Sequence, residues 1–231
     1  MYTASKHKTA ILVFARSSQE EVAHKSIYNG PQLFDTLTNH VLETVAKTEL
    51  PYFHFSEEKQ IGNTFGERFT NAITAIFEKG YEQIITIGND TPQLKVSHIL
   101  EAEKQLSSNK SVLGPSTDGG FYLMGLHKSQ FDSASFSELA WQTSSVFEQL
   151  LKHITQGNTT VFQLPKLSDI DTQADVKSII SYAHGFSEEL LSALLQTLES
   201  RENGHFINSQ KIYQLAFGVQ QNKGSPTLLS L

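Results

Sequence analysis

Short runs of β-branched and aromatic residues alternate along this chain with stretches whose apolar residues recur at helical spacing. Thr9–Ala15 (TAILVFA), Pro51–Ser56 (PYFHFS), Gln83–Gly88 (QIITIG), Ser111–Gly114, Phe121–Leu126 and Val161–Leu164 read as strands. An almost uninterrupted apolar run such as the first suits a parallel strand buried on both faces. Strands that alternate with amphipathic helices predict an α/β domain: a mostly parallel central sheet flanked by helices.

The helical stretches carry their own start and stop signals. Pro31 opens a helical pattern through Lys47, with Leu33, Leu37, Val41, Leu42 and Val45 on one face. Thr64 and Glu67 form a capping-box pair before Phe65, Phe69, Ala72, Ile73, Ile76 and Phe77, and Gly80 supplies the stop. Helices are also predicted over Val96–Leu106 and from a second capping-box pair, Ser145 and Glu148, through His153. The polar stretch from Arg16 to Gly30 reads as a long functional loop. After Thr172 the chain reads as helical, over Ala174–Ala183, Glu188–Leu198 and Ser209–Val219. The expected organisation is one domain over residues 1–185 and a helical C-terminal extension over 186–231, packed on that domain or on a partner. Its apolar helix faces could serve a homodimer.

Composition narrows the function classes. With 39% hydrophobic and 18% charged residues the chain is globular. The formal net charge of −6 comes without a basic stripe, so polymeric nucleic acid is not an expected partner. No apolar run approaches the ~20 residues of a membrane span. No secretory leader pattern opens the chain, and the absence of cysteine agrees with the reducing cytoplasm, the expected location. Absence of cysteine also removes disulfides, thiol nucleophiles and thiolate metal sites. No Gly-x-Ser-x-Gly elbow, Walker phosphate loop or His-Glu-x-x-His helix is present.

Three acidic positions stand out. Asp90 follows the Gln83–Gly88 strand in Gly88-Asn89-Asp90-Thr91-Pro92, where open α/β sheets bind ligands beyond their strand ends. A carboxylate there can hold a hard cation on diphosphate oxygens, or cap a helix. Asp118 lies in Gly114-Pro115-Ser116-Thr117-Asp118-Gly119-Gly120; it could face a ligand, although Asp-Gly is also a turn signal. Asp169 and Asp171 follow the last strand, and could either converge with Asp90 on a cation or answer a helix dipole. Trp141 reads as core or pocket wall.

Taken in order, Ile87-Gly88-Asn89-Asp90-Thr91-Pro92-Gln93-Leu94, the block from Leu113 to Leu126, Trp141-Gln142-Thr143 and Asp169-Ile170-Asp171-Thr172 resemble a bacterial family of uncharacterised glycosyltransferase-A-like proteins. That family is related to phospholactate guanylyltransferases and molybdenum-cofactor nucleotidyltransferases, and the resemblance runs from about Thr9 to Ile180. It implies a Rossmann-like, nucleotide-binding glycosyltransferase-A fold. By the same resemblance, Phe14, Ala15 and Arg16 would lie beside the nucleotide; Lys25, Gly88 and Asn89 are also expected to bind it. Thr91, Gly119, Gly120 and Trp141 would line the substrate side, and Asp118 would act as base. Asp90 and Asp171 would hold Mg2+ or Mn2+. The chain departs from the family in its first loop: Glu21 stands at the glycine position, and His24 and Ser26 at the Lys and Arg positions. Cations there would neutralise a triphosphate, which the glutamates would repel.

The expected activity is thus a metal-dependent transfer of a glycosyl group from a nucleoside-diphosphate sugar to a small acceptor. The alternatives are a nucleotidyltransferase joining a nucleoside triphosphate to a phosphorylated small molecule, and a catalytically silent nucleotide-binding or interaction protein.

Overall fold

A computed structural model describes residues 8–157, 159–182 and 185–198. Its strands are β1 (Thr9–Phe14), β2 (Tyr52–Phe55), β3 (Gln83–Ile87), β4 (Ser111–Pro115), β5 (Phe121–His127) and β6 (Val161–Gln163). They form one sheet in the order β2-β1-β3-β5-β4-β6. Pairing is parallel for β1 with β2 and β3 and for β4 with β6, and antiparallel on both sides of β5. The helices are α1 (Ser18–His24), α2 (Gly30–Ala46), α3 (Phe65–Glu78), α4 (Val96–Ser107), α5 (Ser133–Ser137), α6 (Val146–Gln156), α7 (Gln173–Ile180) and α8 (Glu188–Leu198).

Side-chain alternation along β1 divides the core. Ile11 and Val13 join Ile85 and Ile87 under Val41 and Val45 of α2 and Ile99 and Leu106 of α4. Ala10 and Leu12 face the other way, with Ile84, onto Phe69, Ile73 and Ile76 of α3 and Leu150 and Ile154 of α6. Because both faces are covered, β1 and β3 are mostly apolar, with Thr9, Gln83 and Thr86 the buried polar exceptions.

Two expectations change. The stretch from Arg16 to Gly30 is not all loop: it contains α1, whose Val22 lies so close to α2 that a Cβ on Gly30 would sit 2.6 Å from it. The run Ser18–His24 is only seven residues long and mostly polar, too short for a helical periodicity to register. At α6, Ser145 is the N-cap without a side-chain cap bond, because its hydroxyl instead accepts from Gln149. The α3 capping box forms as expected: Thr64 accepts from the Glu67 amide at 3.1 Å, and Glu67 accepts from the Thr64 amide at 3.3 Å. Thr64→Ala should lower stability by about 1 kcal/mol, read as a shift in the urea midpoint at unchanged slope.

The C-terminal helices complete a third cluster. Leu190, Ala193 and Leu194 of α8 and Val176 and Ile179 of α7 pack on Leu33, Phe34 and Leu37 of α2. Within the predicted extension, α8 packs against α2 and α7. The expected helix at Ser209–Val219 lies outside the described residues.

Candidate active site

The carboxyl ends of β1 and β3, the β4–β5 turn and the segments around residues 141 and 171 enclose a cleft of about 760 Å³. Parallel pairing of β1 with β3 brings both carboxyl ends to one edge, and the antiparallel β5 returns the Ser116–Gly120 turn to that edge. Phe14, Ala15, Arg16 and Lys25 line the cleft from the first strand and loop. Gly88, Asn89 and Asp90 line it from the β3 end, and Asp118, Gly120, Trp141 and Asp171 from across.

Two predicted residues stand behind the wall instead. Thr91 is buried and donates its hydroxyl to Asp169, while Gly119 backs onto the Ser144 carbonyl. Asn89 reaches the lining, but its side-chain amide donates to Thr38 of α2 at 2.9 Å, which ties the β3 loop down.

One wall is aromatic. Trp141 stands 5.6 Å from the Phe65 ring and 5.1 Å from the Phe69 ring, and Phe14 packs edge-on to both phenylalanines. The indole N–H donates to the Phe136 carbonyl at 2.7 Å, which fixes the ring plane. Gly66 allows this approach, since a Cβ there would meet Trp141 at 2.6 Å.

The opposite wall is ionic. Asp90 and Asp171 do converge, on the ammonium of Lys25, at 2.7 and 2.9 Å. Lys25 also donates to the Ile170 carbonyl at 3.1 Å, and Glu21 lies 3.7 Å away, one helical turn back. Burial opposes the lysine's charge, but Asp90, Asp171 and Glu21 outweigh it and raise its pKa above the ordinary range. Burial likewise raises the Glu21 carboxyl, with Lys25 and Arg16 acting against it. Neither Asp90 nor Asp171 caps a helix: Lys95 is the N-cap of α4, and Thr172 caps α7 in a box with Asp175. A hard divalent ion wants the oxygen donors that Asp90, Asp171 and Ile170 provide. The ammonium holds that position, and among the described residues no three His, Asp or Glu side chains are grouped to bind an ion. With Lys25 in place, the residues do not fit a divalent cation.

Asp118 orders its own turn. Its Oδ1 accepts from Ser116 Oγ at 2.5 Å and from the Gly120 amide at 2.8 Å, so the turn reading and the cleft-lining reading both hold.

Asp169, two residues before Asp171, has a distinct environment. Burial, together with the charge of Asp90, pushes its pKa up to about 8, while the hydrogen bond from Thr91 acts in the opposite sense. A cleft carboxyl that is neutral at pH 7 can donate a proton. A carboxyl raised in the fold contributes stability below its unfolded pKa and loses it as pH rises through the folded value. Thermal stability should therefore fall between about pH 4 and 8, and Asp169→Asn, which cannot ionise, should flatten that fall. An unchanged slope in the variant would exclude Asp169 as its source. Sequence reasoning had no signal for this, since the shift comes from burial created by the 165–172 segment. That segment is held by Ile170 N–H donating to the Asp90 carbonyl and Tyr122 Oη donating to the Pro165 carbonyl, both at 2.9 Å.

Comparison with known proteins agrees with the resemblance read from the sequence. Residues 37–143 match the model of a family described as an uncharacterized protein conserved in bacteria (DUF2064). No curated protein sequence matches the chain. A Desulfovibrio desulfuricans G20 protein, described provisionally as a nucleotide-diphospho-sugar transferase, superposes with a TM-score of 0.74. It is 21% identical, with 90% of this chain and 98% of that one covered, which establishes the α/β fold. A Mycobacterium tuberculosis protein crystallised with manganese and a CMP:2-keto-3-deoxy-manno-octonic acid synthetase in complex with CTP are more distant. Both have a TM-score of 0.45 and 11% identity; each covers 75% of this chain, against 98% and 97% of theirs. Similarity that low bears on neither the fold nor the chemistry.

Proposed function

We propose that the chain is a transferase that takes a nucleoside-diphosphate sugar into this cleft and passes the glycosyl group to a small acceptor. The observation that supports this most is the division of the cleft into an aromatic wall, a single guanidinium and a carboxyl-rich end. Bases and sugar faces pack on rings such as Phe14 and Trp141, and Arg16 can fork onto diphosphate oxygens. In the transfer, the bond from the anomeric carbon to the β-phosphate oxygen breaks, and the electron pair leaves with the diphosphate. The acceptor oxygen bonds to the anomeric carbon and gives its proton to Asp118. Neutral Asp169 donates a hydrogen bond where charge develops on the leaving group, in a partly buried site that strengthens it.

A triphosphate is the poorer fit. Lys25 is taken up by Asp90, Asp171 and Glu21, so its charge is already spent within the protein. A diphosphate esterified at both ends brings fewer negative charges to such a wall than a free triphosphate does. The test is a panel of UDP-, GDP-, CDP- and dTDP-sugars with small alcohols and hydroxy acids, assayed for release of nucleoside diphosphate. Release with at least one donor, abolished by Asp118→Asn together with Asp169→Asn, is expected. Pyrophosphate release from triphosphates, with no turnover of any nucleotide sugar, would replace this reading by the nucleotidyltransferase one.

A further inference from the structure

We infer that Lys25 stands in for a divalent cation, so that the site works without a metal. The argument begins with the donors around its Nζ. Three oxygens surround the ammonium: it donates to Asp90 Oδ2 at 2.7 Å and to the Ile170 carbonyl at 3.1 Å, and pairs with Asp171 Oδ1 at 2.9 Å. These are the oxygen types a hard cation selects, gathered from two loops far apart in the chain. Of what else surrounds Nζ, Glu21 Oε2 is more distant at 3.7 Å, and the Phe34 ring centroid at 5.4 Å offers a face that an ammonium uses and a hydrated divalent ion does not exploit.

The lysine is also positioned by its backbone. It is the C-cap of α1, its amide donates to the Glu21 carbonyl at 2.9 Å, and its side chain is 14% exposed. A divalent ion entering this cage would meet an ammonium about 3 Å from both carboxylates, and like charges at that range repel strongly in a partly buried site. Lys25 therefore joins the β3 loop to the 169–171 segment as a bridging ion would, with one positive charge fewer. That deficit suits the less charged donor proposed above, although the claim about the cage stands without it.

Manganese alone is the first probe, followed by electron paramagnetic resonance of the free ion. Wild type should leave Mn2+ free. Lys25→Ala should bind one equivalent at least about tenfold more tightly, and Asp90→Asn added to that variant should abolish the binding. Mn2+ bound by wild type and lost in Asp90→Asn would overturn the inference, as would a folded Lys25→Ala that leaves the ion free. If Lys25→Ala fails to fold, the comparison of wild type with Asp90→Asn still decides. A second arm measures binding of UDP-glucose and GDP-mannose to wild type by calorimetry. Affinity within about twofold with and without EDTA supports metal independence, and loss of binding in EDTA contradicts it. Failure of every nucleotide sugar to bind in either buffer would count against the proposed function and leave the manganese result standing.

Discussion

Lys25→Ala is expected to lower the unfolding free energy by about 2–3 kcal/mol at pH 7. Breaking a buried ion pair costs about 3–5 kcal/mol because the remaining charge has no partner. The lower figure applies here because Asp90 and Asp171 side chains are 30% and 45% exposed and water relieves part of the penalty. Two carboxylates and the buried Glu21 would then face each other across the position Nζ had filled. The deficit should shrink as pH falls, because Glu21, whose carboxyl burial already raises, takes up a proton and removes part of the repulsion. Urea titrations of wild type and variant at pH 7 and pH 4.5 give the comparison. A variant as stable as wild type at pH 7 would show that the lysine is not what holds the two loops together.

Gly119→Ala should be the most damaging small substitution near the cleft. Gly119 has φ of +95°, and an added Cβ would lie 2.1 Å from the Ser144 carbonyl oxygen. Neither problem relaxes cheaply. The left-handed backbone costs about 1–2 kcal/mol for an L side chain, and the clash is with backbone just before α6. Phe147 N–H donates to the Gly119 carbonyl at 3.2 Å, so displacing the turn also loosens the first turn of that helix. A combined loss of about 3 kcal/mol or more is expected. Asp118 moves with the turn, so transfer should fall even at temperatures where the variant stays folded. A melting curve and an activity measurement on the same preparation would show both effects, and an alanine variant that retains both would mean that the turn tolerates another path.

The layered fold was legible because its signals are local. A five-residue buried strand such as β3 announces itself by composition, and α3 by a capping box and a period that its packing on β1 then confirms. Gly80, with φ of +97°, ends α3 as its position implied. The convergence of Asp90 with Asp171 was also within reach, since both follow strand ends that a parallel sheet brings to one edge.

What could not be read was the group standing between them. Lys25 lies in the stretch where the chain departs from the family it resembles, and its role depends on α1, a helix too short and polar to show a period. Asp169 was hidden for a different reason. The sequence shows an acidic pair at alternate positions, but which carboxyl turns inward depends on the tie between Ile170 and Asp90. Thr91 and Gly119 were misplaced because adjacency in a motif does not tell the wall of a cleft from its backing.

The chain has a single tryptophan, Trp141, and it lines the cleft, so its fluorescence reports directly on whether a nucleotide-linked donor binds there. Titration with the nucleotide-sugar panel in EDTA should give a saturable change in intensity for at least one donor, weakened when Arg16 is replaced by alanine. A flat response to every donor, with or without Mn2+ and with no accompanying shift in melting temperature, would contradict the assignment of this cleft.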